Sequence, residues 1–257
     1  MGVRLSVMKR LLILLAMLAA FEPIAHAETR ELIYDMVLDG SSVGRRRVTL
    51  RYLPGEHGEI RMVESYTEFS VLLGRRPFTF VQRLSGMGAP GPSGFVSSMR
   101  EGGRPEEVQL TERLDGWRIS LASQGRLKSW DLPAGSFEAT SLTLVDPDAA
   151  VEVVSSATTL RVLSAETGNV IEGPIEPLGA ATLKIAGQPL NVTRWKWTLP
   201  VGPVELSYGP AGHLVAYTVL VAGKTVEVQL QAVPEARTFG DTLEEPLIGP
   251  GVDITEL

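Results

Sequence analysis

Residues 197–230 read WTLPVGPVELSYGPAGHLVAYTVLVAGKTVEVQL. Apolar side chains recur at alternate positions in three runs: Val204–Tyr208, His213–Val221 and the Val226, Val228, Leu230 set. Gly209-Pro210-Ala211-Gly212 and Ala222-Gly223-Lys224 separate them. A period of two sends successive side chains to opposite faces of a strand, and glycine-bearing turns this short join neighbouring strands into antiparallel hairpins. Val192–Leu199 adds a fourth run with Trp195 and Trp197 on one face, and it meets Thr182–Ile185 across Ala186-Gly187-Gln188-Pro189. The chain therefore closes in a ladder of hairpins.

The same period runs back toward the start. Leu160 and Val162 lead to the turn Glu166-Thr167-Gly168-Asn169. Near the N-terminus, Leu32, Tyr34, Met36 and Leu38 share one face of a strand. Asp39-Gly40 and Gly44 turn it into a second, where Val48, Leu50 and Tyr52 follow Arg45-Arg46-Arg47. Further strands are read from Ile60 to Phe69, around Phe78, Phe80 and Leu84, and at Phe95–Met99, Val108–Leu114, Trp117–Leu121 and Leu127–Leu132, with Ser85–Gly94 as a glycine- and proline-rich loop. Between the two strand-rich parts, Thr140–Ala150 with its Asp146-Pro147-Asp148 cap signal is the one place that favours a short helix. Strands about ten residues apart, without long amphipathic helices between them, exclude a parallel βαβ fold. The expected class is mainly β: a large curved antiparallel sheet or incomplete barrel with one or two short helices.

Three segments follow from composition. Residues 1–27 have the form of a cleaved signal peptide: basic Arg4, Lys9 and Arg10, the apolar run Leu11–Phe21, and Ala25-His26-Ala27 as a small-x-small cleavage site. This predicts export to a bacterial periplasm. Residues 28–233 form a single β-rich domain, and residues 234–257 form an acidic tail rich in proline and glycine, expected to be flexible. The 257-residue chain has no cysteine, which excludes disulfides, thiolate metal sites and cysteine nucleophiles. Its formal net charge of −6 argues against nucleic acid as a partner.

Reactive groups are scarce. Past residue 27 only His57 and His213 remain, each beside a turn glycine and each read as a solvated turn residue. No catalytic triad, metal-ligand spacing or cofactor motif is present, so catalytic residues, metal and cofactors are all expected to be none. Arg45, Arg46, Arg47, Arg75 and Arg76 are charged runs at strand ends; Arg45, Arg47, Arg75 and Arg76 are the candidates for holding an anion. Glu64 and Glu68 share a strand face with Met62 and Tyr66, as expected of a strand whose inward face rotates or that lies at an edge. The aromatic residues Tyr34, Phe78, Phe80, Trp117, Trp195, Trp197 and Tyr208 all lie in strands. A curved sheet with few helices to cover its concave face leaves a groove lined by such rings, and ligand pockets are mostly apolar with a few polar anchors.

Residues 31–52, ELIYDMVLDGSSVGRRRVTLRY, and the closing segment with its Y-G-P-x-G-H-L-V turn resemble exported bacterial domains whose fold is similar to the lipoprotein carriers LolA and LolB. That resemblance implies an incomplete antiparallel barrel around an apolar cavity plugged by short helices. It implies no catalytic motif, and in carriers of that type a positioned arginine takes part in gating the cavity. The function expected is a periplasmic, monomeric binding or carrier protein for a hydrophobic or amphipathic ligand, a lipid or acyl chain. A cavity-based enzyme or pathway accessory acting on a small hydrophobic intermediate is one alternative. The other is a non-catalytic envelope module that meets a protein partner transiently through exposed strand edges.

Overall fold

The computed structural model describes residues 28–55, 58–73, 76–88, 92–101, 104–221 and 223–232. The segment read as a signal peptide, His57, Arg75 and the acidic tail lie outside them. Fifteen strands are present: β1 (Glu28–Leu38), β2 (Ser41–Gly55), β3 (Gly58–Leu73), β4 (Arg76–Gly88), β5 (Pro92–Glu101), β6 (Arg104–Arg113), β7 (Gly116–Ser123) and β8 (Arg126–Pro133) come first. Then follow β9 (Ala139–Thr140), a 3₁₀ turn (Thr143–Val145), the helix α1 (Ala150–Ser156), β10 (Thr159–Leu163), β11 (Val170–Ile185), β12 (Gln188–Leu199), β13 (Gly202–Tyr208), β14 (Leu214–Val221) and β15 (Lys224–Leu230). The helix expected around Asp146-Pro147-Asp148 is thus split into a 3₁₀ turn before it and α1 after it. Asp146 Oδ1 accepts from the Asp148 amide at 3.1 Å and holds the intervening bend.

All fifteen strands belong to one open sheet ordered β8-β7-β6-β5-β4-β3-β2-β1-β15-β14-β13-β12-β11-β10-β9. Two meanders, β1–β8 and β9–β15, meet where β1 pairs antiparallel with β15. Every ladder is antiparallel except β9 with β10, which is parallel. Strands β8 and β9 stand at opposite ends of the order and do not pair, so the sheet is not closed into a barrel. The β8 edge carries Arg126, Lys128, Asp131 and Pro133, the charged residues and proline that keep an unpaired edge from recruiting another strand.

Strands alternate as the sequence predicts, with Leu32, Tyr34 and Met36 buried in β1, Val48, Leu50 and Tyr52 in β2, and Val226, Val228 and Leu230 in β15. Residues 85–88 and 92–94, read as loop, extend β4 and β5 instead. The β4–β5 ladder there pairs Gly86 with Phe95 and Met87 with Gly94, and a Cβ on Gly86 would stand 2.3 Å from Leu142 Cδ1. Glu64 and Glu68 sit on the outer face of β3, whose inward side is the buried set Val63, Ser65, Thr67 and Phe69. Glu64 pairs there with Arg51 at 3.2 Å.

The segment from β9 to β10 fills part of the concave side. Leu142, Val145, Ala150, Val154, Leu160 and Leu163 join the same hydrophobic core as the sheet. Tyr208 Oη donates to the Leu144 carbonyl at 3.2 Å, and Arg61 reaches from β3 to Asp146 at 2.9 Å, so both meanders hold this plug.

A polar belt inside the curved sheet

Cross-strand register lines side chains up in rows, and one interior row is unusual. Tyr34, Arg46, Thr67, Gln82, Met99, Glu106 and Ser123 face one another across β1 to β7. The row on one side is mixed: Leu32, Val48, Ser65, Leu84, Ser97, Val108 and Leu121. On the other side, Trp195, Leu206, Tyr217, Val228, Met36, Gly44, Phe69 and Phe80 run through eight strands and are mostly apolar. Buried Ser65, Thr67, Gln82 and Ser97, spread over this row and the mixed one, thus form a polar belt beside the apolar row.

Arg46 is the charge in that belt. Its Nε donates to Ser65 Oγ at 2.9 Å, and a terminal nitrogen donates to Tyr217 Oη at 2.7 Å. The second contact reaches over β1 and β15, the two strands that lie between β2 and β14. Tyr217 in turn meets Tyr34 edge-on, ring centroids 6.0 Å apart. Burial works against the Arg46 cation, but Tyr217, Tyr34 and Glu166 outweigh it and hold the guanidinium above its ordinary pKa. It stays charged, and among the described residues no carboxylate lies within ion-pair distance of it.

Glu166 reaches the belt from the turn between β10 and β11. Its Oε1 accepts from Gln82 Nε2 at 3.4 Å and its Oε2 from Ser164 Oγ at 2.8 Å. Gln82 Nε2 also donates to Ser97 Oγ at 3.0 Å. At the far end of the row, Ser123 Oγ donates to Glu106 Oε1 at 2.8 Å.

The structure distributes the sequence-derived candidates unevenly. Phe80 and Trp195 lie on the apolar row, and Phe80 stacks on Phe69 at 5.2 Å. Trp197 is buried on the same face as Trp195, opposite Ile175 and Val204. Among the described residues neither indole N–H finds an acceptor. Trp117 packs on Phe137 at 5.4 Å near the β8 edge, away from the belt. Phe78 lies in β4 opposite Val71. Tyr34 and Tyr208 are core residues whose hydroxyls donate to the carbonyls of Leu214, at 2.8 Å, and Leu144. Burial pushes both phenols far above their usual range. Tyr34→Phe is expected to cost about 1 kcal/mol by orphaning the buried Leu214 carbonyl, a fall of roughly 2–4 °C in a thermal melt.

Arg45 and Arg47 face outward, on either side of Arg46. They line an outer groove of about 510 Å³ with Asp35, Tyr66 and Glu68, and Arg47 pairs with Glu31 at 3.0 Å. Arg76 opens β4. The arginine that reaches the interior is Arg46, and parity carried that signal, since Arg46, Val48, Leu50 and Tyr52 occupy every second position. His213, read as a solvated turn residue, is buried, with both ring nitrogens unpartnered among the described residues. Sequence reasoning also missed Tyr217, Gln82 and Glu166, polar residues that become a set only once the register is known. Among the described residues no group of three His, Asp or Glu side chains gathers as a metal site.

A mainly β domain whose open sheet curls around a polar belt belongs to the barrel-like class. No family model matches the chain, and no curated protein matches its sequence. A solved structure with a similar fold is the β-barrel-like protein of the domain of unknown function DUF1849 from Brucella abortus. It matches with a TM-score of 0.55 at 10% identity, over 78% of this chain and 94% of that one. Identity at that level shows the fold alone, a β-barrel-like domain.

Proposed function

We propose that the protein is a periplasmic binding or carrier protein for an amphipathic ligand, a lipid or acyl chain, held against the concave face of the sheet. The observation that carries this reading is the half-buried, charged Arg46 set beside a mostly apolar row of eight strands. A buried guanidinium costs several kcal/mol in lost hydration unless it serves a partner, and a core needs none of this. An acyl chain would lie along Phe69, Phe80 and Trp195 while its polar end reaches the belt, the mix of apolar walls and few anchors that small-molecule sites use. The interior arginine and the plugging segment fit the likeness to LolA and LolB carriers read from the sequence.

The test is a titration of the purified protein with dodecanoate and lysophospholipid, followed by tryptophan fluorescence, with native mass spectrometry of protein taken directly from cells. Trp195 lies on the apolar row, so a saturable spectral shift and a co-purified mass are expected. A flat titration together with consistently empty protein overturns the proposal.

A further inference from the structure

We propose that the ligand carries an anionic head, a carboxylate or a phosphate, and that Glu166 competes with that head for the donors of the belt. The inference rests on the carrier reading and goes beyond it by fixing the charge of the ligand and naming a residue that sets selectivity.

The belt is rich in donors. Arg46 offers five N–H groups, of which its bonds to Ser65 and Tyr217 use two. Arg46 is only partly buried, and its remaining N–H groups make no further hydrogen bond among the described residues. Gln82 adds an amide N–H₂. Against these stand Glu106, at the far end of the row and bonded to Ser123, and Glu166, the carboxylate whose charge raises the pKa of Arg46 without reaching ion-pair distance. A neutral or cationic head would leave such donors poorly served, whereas two or three anionic oxygens on a guanidinium make the strong bidentate pairing.

Glu166 is placed to be displaced. Its contact with Gln82 is 3.4 Å, long beside the roughly 2.7–2.9 Å of a good charge-assisted bond. The carboxylate sits on a turn rather than in the ladder. That turn is held by its own bonds, with the Glu166 and Thr167 amides donating to Ser164 Oγ at 3.2 Å and the Gly168 amide to the Ser164 carbonyl at 2.9 Å. Rotating the side chain away gives up the 2.8 Å bond from Ser164 Oγ but none of the β10–β11 pairing. While it stays, its negative charge opposes a second anion near Arg46.

Glu166→Gln keeps the size and removes the charge, while its single amide oxygen can still accept from either Gln82 or Ser164 but no longer from both. Full-length wild type, Glu166→Gln and Arg46→Met are titrated with dodecanoate, dodecyl phosphate and dodecanol below their micelle concentrations at low salt. Wild type is expected to prefer both anions over the alcohol. Glu166→Gln is expected to bind the anions about tenfold more tightly with the alcohol unchanged, the effect of removing one repelling charge in a partly screened interior. Arg46→Met is expected to lose the preference for anions. Tighter binding of dodecanoate than of dodecyl phosphate assigns a carboxylate head, and the reverse assigns a phosphate. If the probes bind but Glu166→Gln shifts none of them, or shifts alcohol and anions alike, this inference fails while the carrier reading stands. If no probe binds to wild type, both fail together.

Discussion

Gly44→Ala is expected to lower the melting temperature by roughly 6–12 °C, the equivalent of about 3 kcal/mol in a domain of this size. Replacing a strand glycine by alanine ordinarily stabilises by about 0.4–1 kcal/mol, because the unfolded chain loses freedom. Here the sign reverses. A Cβ on Gly44 would stand 2.3 Å from the Glu68 carbonyl oxygen, 2.3 Å from Phe69 Cβ and 2.5 Å from Phe69 Cα. These are mainly backbone atoms of β3, so no rotamer change relieves the overlap and the β2–β3 ladder must part. The β1–β2 register also shifts just here, between Met36 and Val37, while the β2–β3 ladder runs on without a shift. Phe69 is also the residue that stacks on Phe80, so the same displacement would disturb the apolar row of the proposed groove. A melt of the alanine variant within 2 °C of wild type would show that β2 and β3 have slack at this point.

The hairpin ladder was legible because its cues are local: alternation within each strand and Gly, Asp-Gly or Pro at each turn. The interior was not legible for the opposite reason. Arg46 and Tyr217 are separated by 171 positions, and only the meeting of β1 with β15 brings their strands within reach across the fold. Three consecutive arginines read as one charged cluster, yet the pleat of β2 sends Arg45 and Arg47 to solvent and Arg46 inward. Glu166 stands in a turn whose Thr-Gly-Asn composition announces a hairpin and nothing more; its reach to Gln82 depends on the sheet curling over. Register across many strands is a tertiary property, and a one-residue slip would have exchanged the two faces.

The parity of β12 was a subtler matter. Trp195 and Trp197 do share a face, but the apolar set Leu190 and Val192 nearer the hairpin tip is an odd number of residues away. Strand β11 carries a bulge between Pro177 and Gly179 opposite Arg194 and Trp195, and bulges of this kind re-aim the residues beyond them. The tip is tied down separately, by Gln229 Nε2 donating to the Lys184 carbonyl at 2.6 Å. Alternation read Val192–Leu199 as one run with Trp195 and Trp197 on one face and could not show this offset.

The second large effect is a loss of stability in mild acid that depends on His213. This residue is 2% exposed in the turn between β13 and β14, and among the described residues neither ring nitrogen has a hydrogen-bond partner. The turn is pressed against the Asp146-Pro147-Asp148 bend, so closely that a Cβ on Gly212 would lie 2.3 Å from the Pro147 carbonyl oxygen. Burial first, and then the nearby Arg30 cation, push the imidazole below its ordinary pKa, while Asp148 opposes them. Arg30 is itself paired with Glu28 at 2.7 Å. A lowered histidine pKa means that below about pH 6.5 the unfolded chain binds a proton that the folded chain refuses. Stability is therefore greatest above that pH and falls as the pH drops, by at most ~2 kcal/mol at pH 5. Asp146 acts with the opposite sign: burial raises its carboxyl despite Arg61, so the folded state takes up that proton more readily than the unfolded state. Comparing wild type with His213→Met cancels Asp146, His57 and the other carboxylates, because they are common to both proteins. Methionine also removes a buried polar ring that has no partner, so at pH 7.5 the variant is expected to melt no lower than wild type. Between pH 7.5 and 5.0 wild type is expected to lose up to roughly 4–8 °C more than the variant. Parallel pH profiles for the two proteins would mean that His213 takes up its proton as easily folded as unfolded, and that the turn opens to water without cost.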